Sequence, residues 1–192
     1  MDYVVVAYWI GDKYRAAAVK LAASLNALGI PHDIRPRPEQ GSWRLNMRHR
    51  PLFVREMMAA YPAQALLSVD ADCVFEQRPE ILDKGISEDV AAMWWLEPTG
   101  VEIAYEGTLY LAPTERVRSM VARWADIDRI KATFPPEDSG INSALAGTPG
   151  LTMRRLPPEY CWIEVQMRST YREAKPVIRH HCLYHVTQNA PR

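Results

Sequence analysis

Leu66-Leu67-Ser68-Val69-Asp70-Ala71-Asp72-Cys73-Val74-Phe75 decides how this chain reads: an apolar run that ends in two carboxylates separated by one residue. In an open α/β sheet, ligands bind just beyond the carboxyl ends of the strands. Paired carboxylates at such a place suit a hard divalent cation that also touches phosphate oxygens. The stretch therefore predicts a metal-assisted reaction of a phosphorylated donor. The plainer alternative is that Asp70 and Asp72 cap a turn after a core strand.

Upstream of this stretch, residues 3–9 are β-branched and aromatic and predict a buried first strand. Gly11 and Asp12 follow as turn and helix cap, and a helix is expected to about Leu28, with Tyr14, Ala17, Ala18, Leu21, Leu25 and Leu28 on one face. Residues 32–35 form a short second strand, and this β-α-β opening favours a parallel sheet. After a Pro/Gly loop, Pro51 is expected to open a helix that Pro62 ends, and residues 65–69 make the third strand.

Downstream, the pattern predicts a short helix at 79–82, strands at 90–96 and 104–112, helices from Pro113 and over 139–146, and strand-like pieces at 152–156 and 177–183. Gly107 sits where a ligand or another backbone comes close. The stripe of Val117, Met120, Val121 and Trp124 reads as core.

At 192 residues the chain is long enough for one well-cored domain spanning 1–192. Its 23 Lys plus Arg balance 23 Asp plus Glu, so no global field draws it to nucleic acid or to a membrane. Cys73, Cys161 and Cys182 are odd in number and have no zinc-ligand spacing, which predicts reduced thiols and a cytoplasmic location. No segment reaches the length of a membrane span, and no leader peptide is evident.

Context gives the Asp-x-Asp element its meaning. The stretch resembles the hhhhDxD motif of GT-A-type glycosyltransferases, which use nucleotide-diphosphate sugars. Trp43, Asn46, Arg50 and Phe53 ahead of it resemble that family's approach to the donor. Glu106-Gly107-Thr108-Leu109-Tyr110-Leu111 resembles the Gly-containing strand beside the sugar, Glu137-Asp138-Ser139-Gly140-Ile141-Asn142 an acidic helix start, and Val177-Ile178-Arg179-His180-His181 the strand that brings a His to the metal. The resemblance implies an α/β fold, a single Rossmann-like GT-A domain with a mostly parallel central sheet flanked by helices.

It also implies site roles. Mn²⁺ or Mg²⁺ is held by Asp72 and Asp70 with His180 or His181, and alternation along a strand keeps those two histidines on opposite faces. The UDP- or GDP-sugar donor meets Ala7, Tyr8, Trp9, Asn46, Arg50, Asp70, Ala71 and Gly107, while Asp138 or Glu137 is the base for an acceptor hydroxyl. Six arginines from Arg35 to Arg55, with Glu39 the only acid before Arg55, offer a positive wall for a diphosphate or simply a solvated face. Acceptor contacts would come from loops near Gly100, from 161–172, or from a second subunit.

Two other readings compete. Asp70-Ala71-Asp72-Cys73-Val74 also satisfies the hhhhDxDx[TV] pattern of haloacid-dehalogenase-type phosphohydrolases, although its place on the third strand and the lack of a later GDxxxD element speak against them. A catalytically silent nucleotide-sugar-binding module is the other.

Overall fold

The computed structural model describes residues 2–96, 100–130, 139–168 and 170–182. The first strand, β1 (Tyr3–Trp9), is buried on both faces over its first five residues, as befits the interior of a sheet covered on both sides. Helix α1 (Gly11–Ala27) buries Ala18, Leu21 and Leu25, and starts without a side-chain cap, so Asp12 lies in the first turn rather than at the cap. There its charge complements the helix dipole.

The far end of α1 is closed by a Schellman motif. Gly29, at φ +63°, donates its N–H to Asn26 O at 3.0 Å, and Ile30 donates to Leu25 O at 2.9 Å. Leu25 and Ile30 are both buried, which supplies the apolar contact that accompanies this cap. The chain then enters β2 (His32–Pro36), parallel to β1.

Two helices, α2 (Trp43–Met47) and α3 (His49–Ala60), precede β3 (Ala65–Val69). Pro51 is the third residue of α3, still within the turn whose N–H groups have no helical acceptor. The short helix α4 (Glu80–Asp83), strands β5 (Val90–Leu96) and β6 (Glu102–Leu111), helices α5 (Glu115–Ile130) and α6 (Ser139–Ala146), and strand β7 (Met153–Arg155) follow the sequence pattern closely.

The main sheet has six strands in the order β2-β1-β3-β6-β5-β7. It is mostly parallel: β6 alone runs against its neighbours β3 and β5, and the other pairings are parallel. Phe53, Val54 and Met57 of α3 and Val117, Met120, Val121 and Trp124 of α5 join the core against this sheet. Asp89 fastens the β5 edge, accepting hydrogen bonds from Thr114, Arg116 and Thr152. Among the described residues, no helix is long and apolar enough to cross a membrane.

The opening stretch is divided between two sheets. β3 stops at Val69, Asp70-Ala71-Asp72 forms a turn in which Cys73 donates its N–H to Asp70 O at 3.2 Å, and β4 (Cys73–Phe75) belongs to a second sheet. That sheet has the order β4-β9-β8, with β8 (Trp162–Ile163) and β9 (Ile178–His180) from the C-terminal part of the chain. The strand read at 177–183 is thus shorter than the apolar pattern. Its edges are set by pairing, with Cys73 opposite His180 and Ile178 opposite Phe75.

Candidate functional site

Three pieces of chain meet where β3 ends. The Asp70-Ala71-Asp72 turn leaves the sheet, β6 passes beside it, and β9 crosses behind it. Asp70 donates its N–H to Gly107 O at 3.2 Å, and His181 donates its N–H to Asp72 O at 3.1 Å, so backbone bonds hold the turn from both sides.

A register shift opens β6 toward the turn. Between the paired residues Leu109 and Tyr105, the segment Glu106-Gly107-Thr108 has no partner on β5, whose Ala92 and Met93 are adjacent. Such a bulge bends its strand and re-aims side chains. A Cβ on Gly107 would lie 2.8 Å from His180 Cε1 and 3.0 Å from both Asp70 Oδ2 and Tyr105 Cε1. Glycine here is required by space. Gly107→Ala should therefore cost about 1–3 kcal/mol through forced displacement, read by denaturant unfolding; unchanged stability would show that the three groups are not closely packed.

Arg50, on the first turn of α3, is buried and reaches across this junction. Its Nη1 donates to Glu106 O at 2.5 Å, and its Nη2 forms an ion pair with Asp70 Oδ1. The other Asp70 oxygen lies 3.4 Å from His180 Nδ1. Burial pushes the Asp70 carboxyl up, but Arg50 and then His180 outweigh it and hold Asp70 below the ordinary aspartate value. Of the six arginines, Arg50 is thus at the site, whereas Arg35 pairs with Asp33 and Glu56, and Arg37 with Glu56.

The end of β1 borders the same region. Tyr8 donates its hydroxyl to Asn46 O at 3.0 Å and packs on Phe53, ring centroids 5.2 Å apart. Burial raises its phenol, keeping that proton in place. Ala7 is buried, and Trp9 is partly exposed. The Asn46 side chain accepts from Gln40 N at 2.8 Å and so shapes the loop ahead of α3.

Alternation on β9 sends the two histidines apart, and the pairing decides which goes inward. His180 is 3 % exposed, among Asp70, Cys73, Thr108 and Cys161. Burial lowers its basicity, yet Cys161, Cys73 and Asp70 reverse this, so the surroundings favour positive charge. Burial pushes the Cys73 thiol up to about 12. His181 is exposed and lines a cavity of about 310 Å³ together with Lys13, Lys20, Asp72 and Cys73.

The two lysines were not singled out from the sequence, where α1 showed mainly its apolar face. Their signal was present: Lys13 and Lys20 are seven residues apart and share a helix face with Ala16 and Ala17, which also line the cavity. Glu137 and Asp138 lie outside the described residues.

The donors at this junction fit a divalent cation. Among the described residues, Asp72, Cys73 and His180 form a group whose ligand atoms all lie within 4.8 Å of one another. Carboxylate and imidazole suit Mn²⁺, while the thiol suits a softer ion. Asp70 stands outside that group, its oxygens directed to Arg50 and His180.

No protein-family model matches the chain, and no curated protein resembles it closely enough to count as a relative. Solved structures do resemble it. One is a glycosyltransferase involved in glycosylation of the major capsid of PBCV-1, with a TM-score of 0.72 and 13 % identity, the match covering 95 % of this chain and 93 % of that one. Another is the galactosyltransferase LgtC in complex with donor and acceptor sugar analogues, with a TM-score of 0.60 and 12 % identity, covering 93 % of this chain and 87 % of that one. At these identities the likeness is one of architecture, and it extends over nearly the whole chain: the fold is that of GT-A-type glycosyltransferases.

Proposed function

We propose that this protein is a metal-dependent glycosyltransferase that moves a sugar from a UDP- or GDP-type nucleotide-diphosphate donor to an acceptor hydroxyl. The observation that carries this reading is the Asp70-Ala71-Asp72 turn at the carboxyl end of β3, with Asp72 and His181 opening on a cavity that two lysines also line. A cavity offering a carboxylate, an imidazole and two ammonium groups suits a diphosphate bound through a divalent cation.

In this reading Asp72 and His181 hold Mn²⁺ or Mg²⁺, which when bound supplies charge that stabilises the departing nucleoside diphosphate. Lys13 and Lys20 face the same anion from α1. Arg50 orients Asp70 toward the donor, and Gly107 leaves room for the sugar beside the turn. Ala7, Tyr8 and Trp9 border the nucleoside, Asn46 shapes that border, and Asp138 or Glu137 takes the acceptor proton. An acceptor-binding second subunit remains part of this reading.

The phosphohydrolase pattern is less well supported by the geometry. Cys73 and Val74, which complete that pattern in sequence, belong to β4 of the second sheet and not to the strand that ends at the Asp70-Ala71-Asp72 turn. A thermal-shift panel of nucleotide-diphosphate sugars, with and without Mn²⁺, checks the proposal. A donor that raises the melting temperature only in the presence of the ion is expected. If no nucleotide sugar stabilises the protein and a phosphomonoester is turned over, the reading is wrong.

A further inference from the structure

Beyond the bulge, the β5-β6 hairpin carries an aromatic face to which the donor reading assigns no role. Tyr105 of β6 pairs with Met93 of β5, and the two-residue period of a strand puts Met93 and Trp95 on one face with Tyr105 and Gly107. That face is continuous with the site, because a Cβ on Gly107 would meet Tyr105 Cε1 at 3.0 Å, beside Asp70 and His180. Trp94 points the other way: it packs on the main core, and Arg155 Cζ lies 5.3 Å from its ring centroid.

A small second core holds these rings. Met93, Cys161, Trp162 and Met167 are buried together, and Trp95 and Tyr105 pack against them while each stays half-buried. An aromatic ring fixed on one side and wet on the other presents a rigid apolar plane. Charged groups border it. Trp162 donates its Nε1–H to Glu164 Oε2 at 2.8 Å, Glu164 pairs with Arg168 and Arg179, and Arg179 also reaches Glu76. Two carboxylates against two guanidiniums leave this border without net charge. Such a surface suits a neutral ligand that combines an apolar plane with many hydroxyls. A pyranose ring is of that kind: its C–H bonds gather on one face and its hydroxyls project around the rim.

We propose that Trp95 and Tyr105 form the acceptor subsite, and that the acceptor is a neutral sugar of a glycan whose ring stacks on them. This acceptor class rests on the glycosyltransferase reading and deepens it. An attacking hydroxyl must come within about 3–3.5 Å of the anomeric carbon. The acceptor therefore adjoins Gly107, beside which the donor sugar is placed, and the Tyr105 ring begins there. Transfer joins the acceptor hydroxyl oxygen to the anomeric carbon and breaks the bond from that carbon to the diphosphate oxygen, which keeps the electron pair. The hydroxyl proton passes to the carboxylate base.

Saturation-transfer NMR of the whole chain with lactose, maltose, cellobiose and melibiose, without nucleotide, reads binding directly. At least one disaccharide should give a saturable signal, strongest at the C–H protons of one ring face. Trp95→Ala should weaken its Kd about tenfold, the scale of a lost ring contact, and Trp95→Phe should recover most of the loss. Leu96→Ser, at the exposed neighbour on the opposite face of the strand, should bind as wild type. With a donor from the thermal-shift panel, Trp95→Ala should raise the KM for the acceptor by a similar factor and that for the donor far less. Circular dichroism melts establish which variants are folded, and Tyr105→Leu repeats the test on the other strand should Trp95→Ala fail to fold. The proposal is overturned if no disaccharide binds folded wild type, if folded Trp95→Ala and Tyr105→Leu bind as tightly as wild type, or if a serine- and threonine-containing peptide accepts the sugar and no disaccharide does. Failure of the donor to stabilise the protein is a separate result, and it counts against the proposed function.

Discussion

Asp72→Ala should abolish the Mn²⁺-dependent stabilisation by a nucleotide sugar and lower transfer or donor hydrolysis by about 10²–10³-fold, the scale on which loss of a charge-stabilising group acts in an active site. The backbone bond from His181 N to Asp72 O survives the substitution, so the turn should keep its shape. Initial rates and ligand-induced melting shifts, measured on the same preparation, separate loss of function from loss of fold. A variant that responds to donor and Mn²⁺ as fully as wild type would remove the basis of the proposed function. Asp72→Asn sharpens the test. It preserves size and most hydrogen bonding, so an equal loss would assign the effect to charge.

Arg50→Met should reduce stability by about 2–4 kcal/mol, somewhat less than is typical for breaking a wholly buried pair, because the Asp70 side chain keeps 29 % exposure. Methionine keeps much of the stem but leaves Asp70 Oδ1 and Glu106 O without the guanidinium. Equilibrium urea unfolding measures the loss, and Arg50→Met combined with Asp70→Asn should recover part of it, because the stranded charge is gone. The pH dependence has a definite sign. Asp70 is held below its ordinary value in the folded wild type, so its contribution is complete above the unfolded aspartate value of about 4 and is lost as pH falls through the folded one. Without Arg50, the largest group opposing burial is gone, and burial raises that carboxyl against His180. The deficit of the variant should therefore be largest near neutral pH and shrink on acidification; a deficit independent of pH would show that the pair is not its cause.

Local pattern carried most of the element assignments. The β1-α1-β2 opening, β3, the long amphipathic α5 and the Gly-containing strand could all be read because each depends on neighbours within one helix turn or one strand pleat. Arg50 could be singled out among its neighbours, but its partner could not, since Asp70 lies 20 residues away and meets it only when α3 packs beside β3. The positive wall expected from six arginines was diminished for a similar reason. Arg35 and Arg37, on or just after β2, find Glu56 on α3, a pairing fixed by packing rather than spacing.

The sequence by itself determined that an apolar strand delivers Asp70 and Asp72 at its carboxyl end, that a glycine strand and a histidine pair follow, and that the two histidines face opposite ways. These are consequences of residue order and of the two-residue period of a strand. Only the tertiary structure decided that the apolar run breaks into β3 and β4, that His180 turns inward while His181 reaches the cavity, and that Cys73 and Cys161 converge on one imidazole from 107 and 19 residues away. The reason is physical: strand pairing in the small sheet is a choice among distant segments, made by the burial and hydrogen bonding of the whole chain, and no local period encodes it.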